Sequence, residues 1–185
     1  VYNCGLDGGT PWLTMAYLPY GSLASVSNWP TSIAQAIKLL RQIAKAIDYS
    51  HKEGLIHGNI KPSNVFVNPS NSEVKISDYG SVFLADKSPL LIRTTIQTPM
   101  PKYSSPEQNQ NQRDNPEIDF YALAVLAYEM FTGSVPFTGL DRYTVLTKQR
   151  KGSARPPSVA NPVLPHSIDS PFQKALSFNP YDRYE

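Results

Sequence analysis

The sequence predicts an α+β fold, mainly helical, with a small β portion at its N-terminal end. Three observations predict it. Short β-branched and aromatic runs come in pairs around turn residues, "VYNCG" with "PWLTMAYL" and "NVFVN" with "EVKIS". From Ser32 an apolar residue recurs every three or four positions. Further on, "EIDFYALAVLAYEMFTG" is apolar nearly all round, as a buried helix is.

Taken in order, the first two runs flank "LDGGT", whose Gly and Asp are turn formers, and so form a hairpin. "PYGS" breaks that pattern. The next segment carries Ile33, Ile37, Leu40, Ala44 and Ile47 on one stripe, with Lys38, Arg41 and Lys45 between them. Ser32 followed by Gln35 resembles a capping box, and Gly54 ends the helix. A second hairpin turns at "PSNS". Ser81 to about Pro116 is irregular and rich in Pro, Ser, Asn and Gln; an irregular stretch that long is usually functional or disordered. The central helix spans about 117–132 and stops at Gly133. Beyond Pro136 short helices are expected at Asp141–Gln149 and Asp169–Leu176.

The 185 residues suit one domain with a sizeable core, and no internal repeat or second domain is visible. Hydrophobic residues make up 41% and charged residues 17%, a globular and not a disordered balance. A net charge of +2 gives no electrostatic case for nucleic acid or a membrane surface. Cys4 is alone, so no intramolecular disulfide forms, which fits a reducing cytoplasm. No apolar run approaches the ~20 residues of a membrane helix. The chain starts at Val1, so a piece of a longer protein is expected.

The loop "IHGNIKPSNVFV" joins the two halves of this pattern. His57, a Lys-Pro pair and Asn64 sit at tight spacing, ahead of a strand, as in a loop that handles phosphate and a metal ion. Together with its neighbours it resembles the protein kinase family, specifically the large C-terminal lobe of a bacterial-type Ser/Thr kinase. "TMAYLPYGSL" resembles the end of the small lobe and the hinge. "HGNIKPSN" resembles the catalytic loop HRDxKPxN, and "SDYG" the metal-binding DFG element. "PKYSSPEQ" resembles the close of the activation segment, "DFYALAVLAYEMFTGSVPF" the central helix, and "NPYDRY" the DPxxRP motif. The resemblance covers essentially the whole chain. It implies an N-lobe remnant at 1–20 and a C-lobe at 21–185, with a catalytic loop at 57–64 and an activation segment at 78–107. The glycine-rich loop, the strand lysine and its glutamate partner are not in the sequence, which begins after them.

Residue roles follow from the same resemblance. Asn64 and Asp78 match the positions that hold magnesium, a hard ion that takes oxygen ligands. Lys61 matches the lysine that neutralises the transferred phosphate. Met15 matches the gatekeeper, backbone groups of Ala16 and Leu18 would reach the adenine edge, Phe66 would lie under the base, and Ser77 precedes the metal aspartate. ATP and Mg2+ are the cofactors implied. His57 and Tyr79 match packed structural positions. Asp119 would accept hydrogen bonds from the catalytic-loop backbone, since an unpaired charge in that apolar helix would be costly. Glu107 and Arg183 match the family's buried ion pair.

Three positions depart from the family. Asn59 stands where an aspartate accepts the substrate proton, and a carboxamide has no titratable site for it. Gly58 replaces the arginine that couples an activation-segment phosphate to the catalytic loop, so phosphorylation at Thr94, Thr95 or Thr98 would lack its usual docking partner. Met100 replaces a threonine whose hydroxyl bonds the catalytic pair. The leading reading is therefore a catalytically impaired pseudokinase acting in regulation or signalling on a protein partner. Two alternatives stay open: an active Ser/Thr kinase that works without a strong base, and a nucleotide-free interaction scaffold.

Overall fold

The computed structural model describes residues 2–8, 10–25, 32–79, 102–110, 112 and 115–184. Strands β1 (Asn3–Asp7) and β2 (Thr10–Thr14) pair antiparallel, with Asn3 opposite Thr14 and Asp7 opposite Thr10. Helix α1 (Ile33–Lys52) follows, capped by the Ser32 side chain, which accepts from the Gln35 amide at 3.2 Å. A turn of 3-10 helix (Pro62–Asn64) leads into β3 (Val65–Val67), which pairs antiparallel with β4 (Val74–Ile76). Helices α2 (Pro106–Asn109), α3 (Glu117–Thr132), α4 (Arg142–Arg150), α5 (Pro157–Ala160) and α6 (Asp169–Ala175) follow, with short 3-10 turns at His166–Ile168 and Pro180–Asp182.

Helix α3 lies between two apolar clusters, which explains why its sequence is apolar on all sides. Ala122 and Leu126 face Leu39, Ile43 and Ile47 of α1, together with Ile60, Val65 and Val67. Tyr121, Val125 and Tyr128 face Phe137, Val145, Phe172 and Leu176. Each fully buried aliphatic side chain in these clusters contributes about 1.5–3 kcal/mol relative to exposure. The helix ends where Gly133 adopts φ +77, the left-handed turn a glycine makes at least cost.

Several boundaries differ from the sequence expectation. The buried row of α1 is Ala36, Leu39, Ile43 and Ile47; of the stripe expected from Ile33, only Ile47 belongs to it. The two rows are apolar and adjacent, and packing against α3 and the β3–β4 pair buries the one through Leu39 and Ile43. Ile37, 41% exposed, and Leu40 instead line an apolar groove of about 450 Å3 with Phe120, Leu123, Phe172 and Tyr184. Strand β2 stops at Thr14, so Met15 to Leu18 lie outside it. Within the stretch expected to be irregular, Ser105 starts α2: its side chain accepts from the Gln108 amide, and the Gln108 side chain accepts from the Ser105 amide. Residues 80–101, with Thr94, Thr95, Thr98 and Met100, lie outside the described residues.

Candidate functional site

The loop from His57 to Asn64 is held mainly through its backbone. Asp119, fully buried on the first turn of α3, accepts from the His57 amide through Oδ2 at 2.8 Å and from the Gly58 amide through Oδ1 at 2.8 Å. His51 of α1 reaches the same Oδ2 with Nε2 at 2.8 Å, its ring edge-on to Phe120. The carboxylate is thus compensated by three contacts, as a buried charge must be. Gly58 sits at φ +74, where a Cβ costs roughly 1–2 kcal/mol.

Asn59 is half-buried, and its amide donates to His57 Nδ1 at 3.2 Å. His57 must therefore present an unprotonated Nδ1. Its burial favours the same state: desolvation pushes its pKa below the ordinary 6.5, against the pull of the Asp119 carboxylate and the Ser77 carbonyl. The ring packs on Tyr79 with centroids 4.3 Å apart. Burial in turn raises the Tyr79 pKa above its ordinary value.

Asn64 ties this loop to the strand pair. Its Nδ2 donates to the Asn59 carbonyl at 2.8 Å, and its own carbonyl accepts from the Ser77 amide at 3.0 Å. The Ser63 hydroxyl approaches Asn64 Oδ1 at 3.3 Å. Residues 57, 59, 64 and 77–79 therefore form one cluster, with Asp78 exposed at its edge. Asp78 holds φ +65, a left-handed conformation uncommon outside glycine and most tolerated by Asn and Asp. Strain of this kind gathers at functional sites. Lys61 is half-buried, and its carbonyl accepts from the Asn64 amide at 3.0 Å.

The residues assigned to the purine are less enclosed. Phe66 on β3 is half-buried and bridges to Ser22. Leu18 and Ser77 are half-buried, Ala16 is exposed and Met15 is 47% exposed.

A second set of contacts braces α2. Arg183 makes a two-pronged ion pair with Glu107, Nη1 to Oε1 at 2.6 Å and Nη2 to Oε2 at 2.8 Å, with both side chains buried. The Arg183 guanidinium also lies over the Tyr121 ring, 4.7 Å from its centroid. Tyr103 donates its hydroxyl to Glu129 at 2.5 Å, and burial followed by that carboxylate pushes its pKa far up. Two residues here escaped sequence reasoning. Gln108 donates to the Gly58 carbonyl at 2.9 Å, and His51 reaches Asp119. The Ser-x-x-Gln spacing from Ser105 was a readable cue for the first, as a capping box. His51 had no local cue, because its partner is 68 residues away.

Comparisons with known proteins agree on this architecture. The family model for the protein kinase domain matches residues 2–184. The serine/threonine-protein kinase PknB of Mycobacterium tuberculosis is 30% identical over 181 residues, covering 96% of this chain and 29% of that protein. A probable serine/threonine-protein kinase of Clostridium perfringens, CPE1738, is 34% identical over 187 residues, covering 100% of this chain and 27% of that protein. The chain thus spans less than a third of these relatives' length. Among solved structures, the crystal structure of Rad53 1–466 in complex with AMP-PNP superposes with a TM-score of 0.76 at 22% identity. It covers 98% of this chain and 46% of that one. The chain has a protein-kinase-like fold, and it belongs to the protein kinase family, with serine/threonine kinases as its relatives.

Proposed function

We propose that this chain is the kinase-like core of a catalytically impaired pseudokinase, acting through a protein partner in cytoplasmic regulation or signalling. Residues 1–20 are read as the remnant of the small lobe and 21–185 as the large lobe, with 57–64 the catalytic loop and 78–107 the activation segment. The observation that carries the proposal is Asn59, a carboxamide in the family's proton-accepting position. Loss of a positioned base lowers a rate by about 10²–10⁴-fold. That is about 3–5 kcal/mol of barrier. Gly58 also supplies no guanidinium to receive an activation-segment phosphate.

ATP with magnesium fits the residues present. Asn64 commits its Nδ2 to the Asn59 carbonyl, and its Oδ1, which the Ser63 hydroxyl approaches at 3.3 Å, is the oxygen end suited to a cation. Asp78 adds an exposed carboxylate on a strained backbone. Asn64 and Asp78 would hold the metal, and Lys61 would neutralise phosphate charge. Met15, Ala16, Leu18, Phe66 and Ser77 would line the purine side. His57, Tyr79, Glu107, Asp119 and Arg183 would hold the frame. When bound, the nucleotide supplies the transferable phosphoryl group; what is missing on the protein side is the acceptor for the substrate proton.

One observation favours a second reading, an active Ser/Thr kinase: Asp78 holds a left-handed conformation, and strain of this kind gathers at functional sites. Transfer of labelled phosphate from ATP by the intact protein separates the two. Little or no transfer by the wild type, and a gain of at least tenfold on Asn59→Asp, supports the pseudokinase. Robust wild-type transfer, unchanged by Asn59→Asp and abolished by Asp78→Ala, overturns it. A thermal shift with millimolar ATP and magnesium tests binding separately, since a ligand of the native state alone raises stability by RT ln(1 + [L]/Kd).

A further inference from the structure

The peptide unit that joins Gly58 to Asn59 is gripped at both ends. Its carbonyl accepts from Gln108 Nε2 at 2.9 Å, and its N–H donates to His57 Nδ1 at 3.2 Å. The neighbouring groups are held as well: the Gly58 N–H by Asp119 and the Asn59 carbonyl by Asn64. Of these partners only Gln108 comes from the 102–110 segment, and it spans 50 residues of sequence to reach the loop. It is 8% exposed. Its Oε1 accepts from the Ser105 amide at 3.1 Å, which fixes the orientation of the side-chain amide and turns the donor toward Gly58.

The base of this contact is rigid. Glu107 is locked to Arg183, Arg142 Nη2 donates to the Gln108 carbonyl at 2.8 Å, and Asn109 Nδ2 donates to Gln149 Oε1 at 3.2 Å. A side-chain amide carries no charge and needs no modification to donate. Gly58 accepts the left-handed backbone that places its carbonyl there without a side-chain penalty.

We propose that Gln108 is a positioning residue: it fixes the Gly58–Asn59 peptide, and so the placement of residue 59, through a neutral hydrogen bond that requires no phosphate. The link acts whether or not the loop transfers phosphate, so it stands apart from the pseudokinase reading.

The chain contains a single Gly–Asn step, at 58–59. Labelling glycine with ¹³C at the carbonyl and asparagine with ¹⁵N therefore gives this segment one correlated amide signal. The ¹⁵N shift of that signal responds to hydrogen bonding at the preceding carbonyl. Three variants of the intact protein separate positioning from general support. Gln108→Met removes both polar ends. Gln108→Glu keeps an acceptor for the Ser105 amide and, at neutral pH, has no proton for Gly58. Ser105→Ala removes the cap hydroxyl and leaves the Gln108 side chain in place. The signal is expected to shift in both Gln108 variants, with Asn59 amide exchange faster by about three- to tenfold. Ser105→Ala is expected to leave both unchanged. A second signature is rescue: acidifying Gln108→Glu enough to protonate the introduced carboxyl restores a donor and moves the signal back toward wild type. If Gln108→Met does not fold, the Glu variant and its rescue decide alone. An unshifted signal in Gln108→Glu, or an equal shift in Ser105→Ala, overturns the proposal.

Discussion

Removing the guanidinium of Arg183 tests a buried, two-pronged ion pair. In Arg183→Met the chain loses both prongs to Glu107, at 2.6 and 2.8 Å. It also loses the Nε contact to the Ser177 carbonyl at 2.9 Å and the stacking over Tyr121. The aliphatic stem is replaced, so most apolar burial survives. What remains is a carboxylate at Glu107, 5% exposed, with its cation gone. Breaking a buried pair in this way costs about 3–5 kcal/mol. At a chain length near this one, each kcal/mol lowers Tm by about 2–4 °C, so a drop of roughly 6–20 °C is expected. Urea unfolding gives the free energy directly, provided the slope with denaturant stays constant. Glu107→Leu alone strands the guanidinium and should cost a similar amount. The double variant removes both charges, and its cost should fall well below the sum of the two singles. A single-variant loss under about 1 kcal/mol, or strict additivity in the double, would refute the claim that the pair braces α2.

Two further outcomes follow from the same contacts. His57 has a folded-state pKa below its unfolded value of about 6.5, so the unfolded chain binds its proton first. Its contribution is whole above that pH and is lost as pH falls from about 6.5 toward the depressed folded value. Urea midpoints between pH 7 and pH 5 should decline more steeply for wild type than for His57→Phe, and parallel declines would remove His57 as the cause. Gly133→Ala places a Cβ in open space at φ +77, so only backbone strain acts, about 1 kcal/mol. Gly133→Asn should lose less than Gly133→Ala in thermal melts, and equal losses would rule out a left-handed origin.

Local chemistry made much of the architecture legible. Ser32 and Gln35 marked the start of α1, and Gly133 marked the end of α3, because caps are decided by residues within one turn. Order and spacing of short motifs carried the family, since "HGNIKPSN" and "PKYSSPEQ" keep their positions relative to each other. What stayed hidden is long-range selection between local equals. Two apolar rows of α1 have similar composition, and packing against α3 and the β3–β4 pair decides which one is buried. The role of His51 depends on Asp119 and that of Gln108 on Gly58, both brought near by the fold. No periodicity in the chain encodes those distances.

The division between frame and chemistry at this site has a physical basis. Asp119, Glu107 and Arg183 are buried charges, and replacing any one leaves a partner without compensation. Position 59 is half-buried, and two of its contacts run through its backbone, to His57 Nδ1 and Asn64 Nδ2. Exchanging a carboxylate for a carboxamide there changes neither the shape nor the backbone pattern. On the proposed reading, Asn59 costs the fold little stability and the chemistry much of its rate. A consequence separates this view from general decay. Asn59→Asp should leave the urea midpoint nearly unchanged, or lower it slightly, while activity moves in the opposite direction. A large stabilisation by Asn59→Asp would mean that the loop is built around the carboxylate, and that the frame and the chemistry are not independent.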